Sequence, residues 1–350
     1  MIAVTGGAGF IGSNFVLEWL AGSDEAVLNI DSLTYAGNLE NLKSVSGDAR
    51  HIFVKADICD TAAMTRLLKQ HQPRAVLHFA AESHVDRSID APAAFVTTNI
   101  NGTFSLLTAA RQYWQGLPES AKAAFRFLQV STDEVYGSLL PGEMPFAEAR
   151  PYAPNNPYSA SKAAADHLVR VCHQTYGLPT LTTISSNNYG PYHHPEKLIP
   201  RMIVNALAGK TLPIYGDGGQ RRDWLYVSDN CAAIRRVLQA GRVGQVYNIG
   251  GDSEKANLEV VQSICAMLDD MMPGEGDITY LDQITPVQDR AGHDRRYAID
   301  SRKIEHELGW KPVQKFEDGL RATVQWYLDN QAWVGAVQAK LAGVAGLVAA

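Results

Sequence analysis

Met1-Ile2-Ala3-Val4-Thr5-Gly6-Gly7-Ala8-Gly9-Phe10-Ile11-Gly12-Ser13-Asn14 opens the 350-residue chain, and its reading decides the fold. Residues 1–5 form an apolar run of strand type, residues 10–20 have helical period, and three glycines punctuate the turn between them. Gly6 permits the tight turn, Gly9 leaves no Cβ between the backbone and a pyrophosphate, and Gly12 lets the helix pack closely on the strand. The helix N-terminus then faces the anion. A glycine triplet alone is weak evidence, but the flanking strand and helix make this a dinucleotide turn. Asp31 ends the second predicted strand, where a carboxylate accepts hydrogen bonds from the adenosine ribose and repels a 2′-phosphate. That favours NAD over NADP, although an exposed Asp opening a turn has the same spacing.

Working outward, short apolar runs at 26–31, 51–55, 75–79, 125–131 and 180–184 alternate with segments of helical period. The pattern predicts a doubly wound α/β Rossmann fold, a parallel sheet with helices on both faces. Beyond residue 187, loops bearing Pro and Gly take over, with a strand and helix over 224–238 and helical segments near 253–272 and 300–330. We expect residues 1–186 to form the NAD-binding domain and 187–330 mainly a smaller substrate-binding α/β lobe, with a soft boundary. Residues 331–350, rich in Ala, Gly and Val, read as a weak helix or loose tail without a role.

Composition narrows the function. The chain is 46% hydrophobic, enough for a large core, and its net charge of −6 without a basic block argues against nucleic acid. Cys59, Cys172, Cys231 and Cys265 lie far apart, so neither a disulfide framework nor a zinc site is indicated. With no leader-like or membrane-spanning segment in the sequence, a cytoplasmic location is expected. His193-His194 sits in a Pro-rich loop without a clear third ligand and reads as a surface pair, so no metal is assigned.

Two segments carry chemistry. Tyr158-Ser159-Ala160-Ser161-Lys162 follows a Pro/Asn turn that should start a helix running to about residue 176, with phenol and ammonium on one face at i, i+4. A phenol with a pKa of about 10 is a poor base at neutral pH, but a lysine cation and a bound nicotinamide cation favour the phenolate. A surface Tyr/Lys pair would look the same. Ser131-Thr132-Asp133-Glu134-Val135-Tyr136-Gly137 stands at the carboxyl end of an apolar strand, where open α/β sheets place ligands. Hydride transfer needs only a base and a hydroxyl partner. Removal of water needs one group to take a C–H proton and another to protonate the departing oxygen, which two carboxyls in different states can do. A helix cap or solvated turn is the plain alternative.

The chain resembles the extended short-chain dehydrogenase/reductases of the NAD-dependent epimerase/dehydratase family, and among them the dTDP-glucose 4,6-dehydratases. The likeness covers nearly its whole length. It rests on residues 5–14, 78–88, 131–137, 158–162, 186–192, 197–200, 222–224 and 290–294. Thr132-Asp133-Glu134 is the specific motif, since related 4-epimerases lack the acid/base pair there. One departure is Ala291, where the family usually has proline.

The resemblance implies a lyase acting on a nucleotide sugar in deoxysugar (rhamnose-type) biosynthesis. Tyr158, held by Lys162, accepts the 4-hydroxyl proton as hydride leaves C4 for NAD, and Thr132 bonds the same oxygen. Glu134 then takes the C5 proton while Asp133 protonates the C6 hydroxyl, and hydride returns to C6. It further implies that Gly6, Gly9, Phe10, Ile11, Gly12, Asp31, Ser32, Leu33, Thr34, Asp57, Ile58, Ala80, Ala81, Glu82, Thr98 and Asn188 contact NAD together with Tyr158 and Lys162. Substrate contacts would come from Ser83, Thr132, Asn187, Lys197, Leu198, Pro200, Pro213, Tyr215, Arg222, Asn257, Arg290, His293 and Tyr297. At Arg221-Arg222 the sequence leaves open which side chain points inward. A homodimer is implied, pairing through helices near 99–113 and 158–176. Epimerisation or decarboxylation of a nucleotide sugar, or a non-catalytic NAD sensor, remain the rival readings.

Overall fold

The computed structural model describes residues 1–273, 279–289 and 292–348. Its first layer is a parallel seven-stranded sheet in the order β10-β6-β5-β4-β1-β2-β3. The strands are β1 (Ile2–Thr5), β2 (Val27–Asp31), β3 (His51–Lys55), β4 (Ala75–His78), β5 (Arg126–Thr132), β6 (Thr180–Ser185) and β10 (Val246–Ile249). All four residues of β1 and of β4 are buried, as a sheet covered on both faces requires. Successive residues feed opposite cores: Ile2, Val4, Ala75 and Leu77 pack with helices Phe10–Ala21 and Val227–Ala240. Ala3, Val76 and Phe127 pack with helices Thr61–His71 and Thr103–Gln115. This period of two fixes the register of each strand against its neighbours.

The order reverses between β4 and β1, so the carboxyl ends of those two strands frame a crevice at the switch point. β10 and helix Val227–Ala240 come from beyond residue 186 yet complete the first layer: Val246 to Ile249 pair with Thr182 to Ser185 of β6. A cut at 186 is therefore crossed again by the chain.

The second lobe holds β7 (Asn187–Tyr189), β8 (Leu212–Tyr215), β9 (Arg221–Tyr226), β11 (Glu254–Ala256) and β12 (Ile284–Val287). They form a three-stranded sheet, β11-β9-β7, and a two-stranded one, β12-β8. Helices Leu198–Leu207, Asn257–Met271 and Phe316–Asp329 close a separate core around Ile199, Ile203, Ile264 and Leu320. Of the two readings of the C-terminal stretch, weak helix or loose tail, the structure has the helix, Gln331–Val348, anchored by the buried Val334 and Val337.

Candidate active site

The glycine turn has the geometry its sequence demands. Gly6 has φ of +74°, and a Cβ there would lie 2.5 Å from the Ala80 nitrogen. One on Gly12 would stand 2.2 Å from the Gly6 carbonyl oxygen. Gly9 caps helix Phe10–Ala21 in an extended conformation, and its Cβ would meet only the Gly6 carbonyl oxygen, at 3.3 Å. The bare backbone at Gly9 and the free helix N–H groups beyond it make a cradle for a pyrophosphate.

Asp31 is buried rather than exposed in a turn. Its Oδ2 accepts from Ala8 N at 2.9 Å and its Oδ1 from Leu33 N at 2.8 Å. Burial pushes its pKa up, against both bonds. Leu33, between Ser32 and Thr34, turns the chain toward the carboxylate with a φ of +55°. Each oxygen keeps a lone pair for a ribose hydroxyl. Ala80, Ala81 and Glu82 continue β4 beside Gly6, while Ile58 is buried against the Gly102 backbone and Asp57, exposed, accepts from Cys59 N. Thr98 lies on a wide turn of the helix, Val96–Gly102, and Asn188 accepts from Asn230 Nδ2 at 2.8 Å. These surroundings fit a dinucleotide.

His193 and His194 correct the surface reading. Both are buried, His193 stacked on Phe10 with centroids 4.3 Å apart and His194 edge-on to Tyr35. Burial beside Lys197 holds both imidazoles neutral, His194 down to about 3. They serve as aromatic packing, His193 against the first residue of helix Phe10–Ala21 and His194 against the loop after β2.

The chemistry-bearing residues converge at the end of β5. Thr132 caps a short 3₁₀ turn, Asp133–Tyr136, its Oγ1 accepting from Glu134 N at 3.4 Å and lying 3.5 Å from Asp133 Oδ1. Asp133 is 1% exposed, and its Oδ2 has no partner. Burial first, then the carboxylates Glu134 and Asp223, push its pKa well up, which favours the protonated carboxyl. Burial also raises Glu134, but Lys197 and Arg222 oppose it. Two adjacent carboxyls thus sit in unequal fields, as separate acid and base roles require.

Helix Pro157–Tyr176 brings Tyr158 and Lys162 to the same place, both buried. Lys162 Nζ donates to Val130 O at 2.8 Å. Burial pulls the Lys162 pKa down, and the Asp166 carboxylate, one turn on, pulls it back. For Tyr158 the expected lowering is outweighed: burial, then Glu134, push the phenol up, against its hydrogen bond with Thr132. Without a nicotinamide cation beside it the phenol stays protonated.

A cleft between the two layers runs from Glu134 past Asn187, Lys197, Leu198, Tyr215, Arg222, Asn257, His293 and Tyr297. Strand alternation answers the Arg221-Arg222 question. Arg222 points inward, donating to Asp294 O at 2.9 Å, its guanidinium 4.2 Å from the centroid of the Tyr297 ring. Arg221 points out, onto Glu254 at 2.9 Å. Lys197 Nζ donates to Ser83 O at 2.6 Å, and His293 is bonded to Asp289. Asn187 Oδ1 and Asn257 Oδ1 are buried without partners, both on residues that line the cleft. Pro200 is buried in the first turn of helix Leu198–Leu207, and Pro213 shares with the cleft-lining Tyr215 the face of β8 that is turned away from the core. Arg290 and Ala291 lie outside the described residues.

Three positioning residues escaped the sequence reading. Asn99 accepts from Glu82 N and donates to Glu82 O and Ser161 Oγ, tying the loop after β4 to the Tyr158 helix. Ser159 Oγ lies 3.1 Å from Glu134 Oε2, and Asn156 caps that helix at Ser159 N. Asn156 before Pro157 carries an N-cap signal. Asn99 has none, because its role depends on the wide turn.

Residues 3–323 match the family model described as GDP-mannose 4,6 dehydratase. The dTDP-glucose 4,6-dehydratase of Xanthomonas campestris pv. campestris (strain B100) is 63% identical over 335 residues, covering 95% of each chain. The chain belongs to the dTDP-glucose 4,6-dehydratase family. The family enzyme DesIV of Streptomyces venezuelae, crystallised with NAD, superposes with a TM-score of 0.86 at 45% identity, covering 95% of this chain and 98% of that one. A UDP-glucose 4-epimerase of Thermus thermophilus, also with NAD, shares the fold at a TM-score of 0.81 but only 29% identity, over 94% and 99% of the chains. Fold alone does not separate dehydratase from epimerase; the dehydratase family is set by the closer sequence match.

Proposed function

We propose that the adjacent pair Asp133, buried, and Glu134, at the cleft wall, beside Tyr158 and Lys162, dehydrates dTDP-glucose to dTDP-4-keto-6-deoxyglucose, as deoxysugar biosynthesis requires. The observation that carries this is the placement of two adjacent carboxyls, Asp133 buried with Oδ2 unpartnered and Glu134 in the cleft wall with Oε2 3.1 Å from Ser159 Oγ. Bound NAD, held by the glycine turn and Asp31, supplies the hydride acceptor and donor. Tyr158 takes the proton of the 4-hydroxyl, with Thr132 bonding the same oxygen and Lys162 stabilising the phenolate. Once C4 is a ketone its neighbour C5–H is acidic; Glu134 removes that proton and Asp133 protonates the C6 oxygen, which leaves as water. Glu134 then returns its proton to C5. Arg222 and Lys197 face the diphosphate, Arg222 offering a planar fork pre-set by Tyr297.

The first layer, including β10 and helix Val227–Ala240, holds the cofactor, and the second lobe holds the nucleotide sugar. Val96, Phe104 and Val171 are exposed apolar side chains on or beside helices Thr103–Gln115 and Pro157–Tyr176, the pairing surface of a homodimer. The four cysteines are free thiols, and no described helix is long and apolar enough to cross a membrane, which supports a place in the reducing cytoplasm.

Incubation of the purified protein with dTDP-glucose tests the reading through the base-induced absorbance of the keto product. No keto product from dTDP-, UDP- or GDP-glucose or GDP-mannose would overturn it.

A further inference from the structure

Among the described residues, none of helix Gln331–Val348 lines the substrate cleft, yet one of its faces is tied to both walls of the adenosine end of the dinucleotide site. Trp333 Nε1 donates at 2.8 Å to Asn41 Oδ1. Asn41 Nδ2 in turn donates at 3.1 Å to the carbonyl of Ala8, inside the glycine turn. Two turns along the helix, Lys340 Nζ donates at 2.8 Å to Thr34 O and at 2.6 Å to Gly37 O. Between these contacts Val334 and Val337 are buried, and Trp333 packs its ring against Tyr192, Trp326 and Tyr327. Spacings of i, i+4 and i+7 put Trp333, Val337 and Lys340 on one helical face.

The loop that Lys340 grips is wound around Asp31. Leu33 sits at a positive φ there, and a Cβ on Gly37 would lie 2.7 Å from Asp31 Oδ1. Such a conformation persists only where neighbours hold it. From the opposite side Tyr35, in the same loop, donates at 3.1 Å to Glu196 Oε1, and the Arg87 guanidinium lies 3.8 Å from its ring centroid. Glu196 is in the wall of the cleft. The loop over the ribose is thus fastened at both ends, and one fastening is the C-terminal helix.

We infer that helix Gln331–Val348 is a clamp that slows release of NAD, with Lys340 and Trp333 as positioning residues acting through the 32–37 loop and Asn41. The inference rests on the dehydratase reading, in which the cofactor is reduced and reoxidised within one turnover and its escape midway would strand an oxidised sugar. Two charge-assisted hydrogen bonds must break before the loop lifts from Asp31.

The test is the rate at which full-length protein, loaded with NADH, loses the fluorescence of the bound nucleotide when chased with excess NAD. Lys340→Ala is expected to release it about tenfold faster, the worth of one net hydrogen bond to a charged donor. Lys340→Arg, which keeps a cation with several donors, restores slow release, and Trp333→Phe, which keeps the ring and removes the N–H, speeds it severalfold. Release from Lys340→Ala within about twofold of the parent rate, less than any net hydrogen bond is worth, overturns the clamp and leaves the dehydratase reading standing. So does release from Lys340→Arg as fast as from Lys340→Ala. A parent protein that binds no NADH overturns both.

Discussion

Gly9→Ala and Gly6→Ala together separate a cofactor seat from a folding requirement. At Gly9 the backbone is extended, and the added methyl touches only the Gly6 carbonyl oxygen, at 3.3 Å. A shift of a few tenths of an ångström accommodates it, and the stiffer unfolded chain contributes about 0.4–1 kcal/mol in compensation. Folding stability should therefore change by less than about 1 kcal/mol. The same methyl projects where the pyrophosphate must touch bare backbone, so NAD affinity should fall at least tenfold, about 1.4 kcal/mol. At Gly6 the cost comes first in the fold. A left-handed φ of +74° costs a side chain about 1–2 kcal/mol. In addition the methyl meets backbone at 2.5 Å (Ala80 N) and 2.6 Å (Ala80 Cα), and neither atom swings away as a flexible side chain would. Gly6→Ala should lose stability and NAD binding together. Urea melts give the first quantity and titration calorimetry with NAD the second. A Gly9→Ala protein that binds NAD as the parent does would refute the assignment of this turn to the pyrophosphate.

Glu134→Gln keeps an acceptor for Ser159 and removes the base; turnover should drop about 10²–10⁴-fold while reduced cofactor still forms on mixing with dTDP-glucose, and unchanged turnover would take Glu134 out of the mechanism. Asp133→Asn should likewise abolish elimination yet stabilise the fold near neutral pH. A carboxyl whose pKa is raised on folding weakens the native state once pH exceeds the unfolded value of about 3.9. The gain should fade as urea melts are repeated toward that pH, and a variant less stable than the parent at pH 7 contradicts the reading of Asp133 as a strained acid. Arg222→Lys, losing the planar stack on Tyr297, should raise KM for dTDP-glucose about tenfold or more with little change in kcat, measured by initial rates. Phe104→Glu should convert a dimer to monomer in sedimentation, and a parent that already sediments as a monomer removes the proposed pairing.

Much of the first layer was legible because its signals are local. The six runs from 1–5 to 180–184 coincide with β1 to β6 within a residue or two, since continuous apolar runs bounded by turns have few other solutions. The Tyr158/Lys162 face and the Thr132-Asp133-Glu134 strand end were legible for the same reason. β10 was not: four residues between glycine-bearing loops say nothing about which sheet they join, and only pairing with β6 decides it. The inward turn of Arg222 and the burial of His193 and His194 are likewise tertiary facts, set by Tyr297 in one case and Phe10 in the other. Asn99 gains its importance from two hydrogen bonds to Glu82, seventeen positions away, that no pattern announces.

The late arrival of β10 bears on synthesis. As the chain leaves the ribosome, β1 to β6 are all available by Ser185, but the outer side of β6 has no partner until Val246–Ile249 has been made. For some sixty residues of elongation, a few seconds at ordinary rates, the nascent layer carries a raw strand edge of the kind that pairs with other chains. Helix Val227–Ala240, emerging just ahead of β10, covers the adjoining face first. A product terminated near residue 186 keeps that edge permanently, so fragments of this enzyme should be sticky even where the whole chain is not.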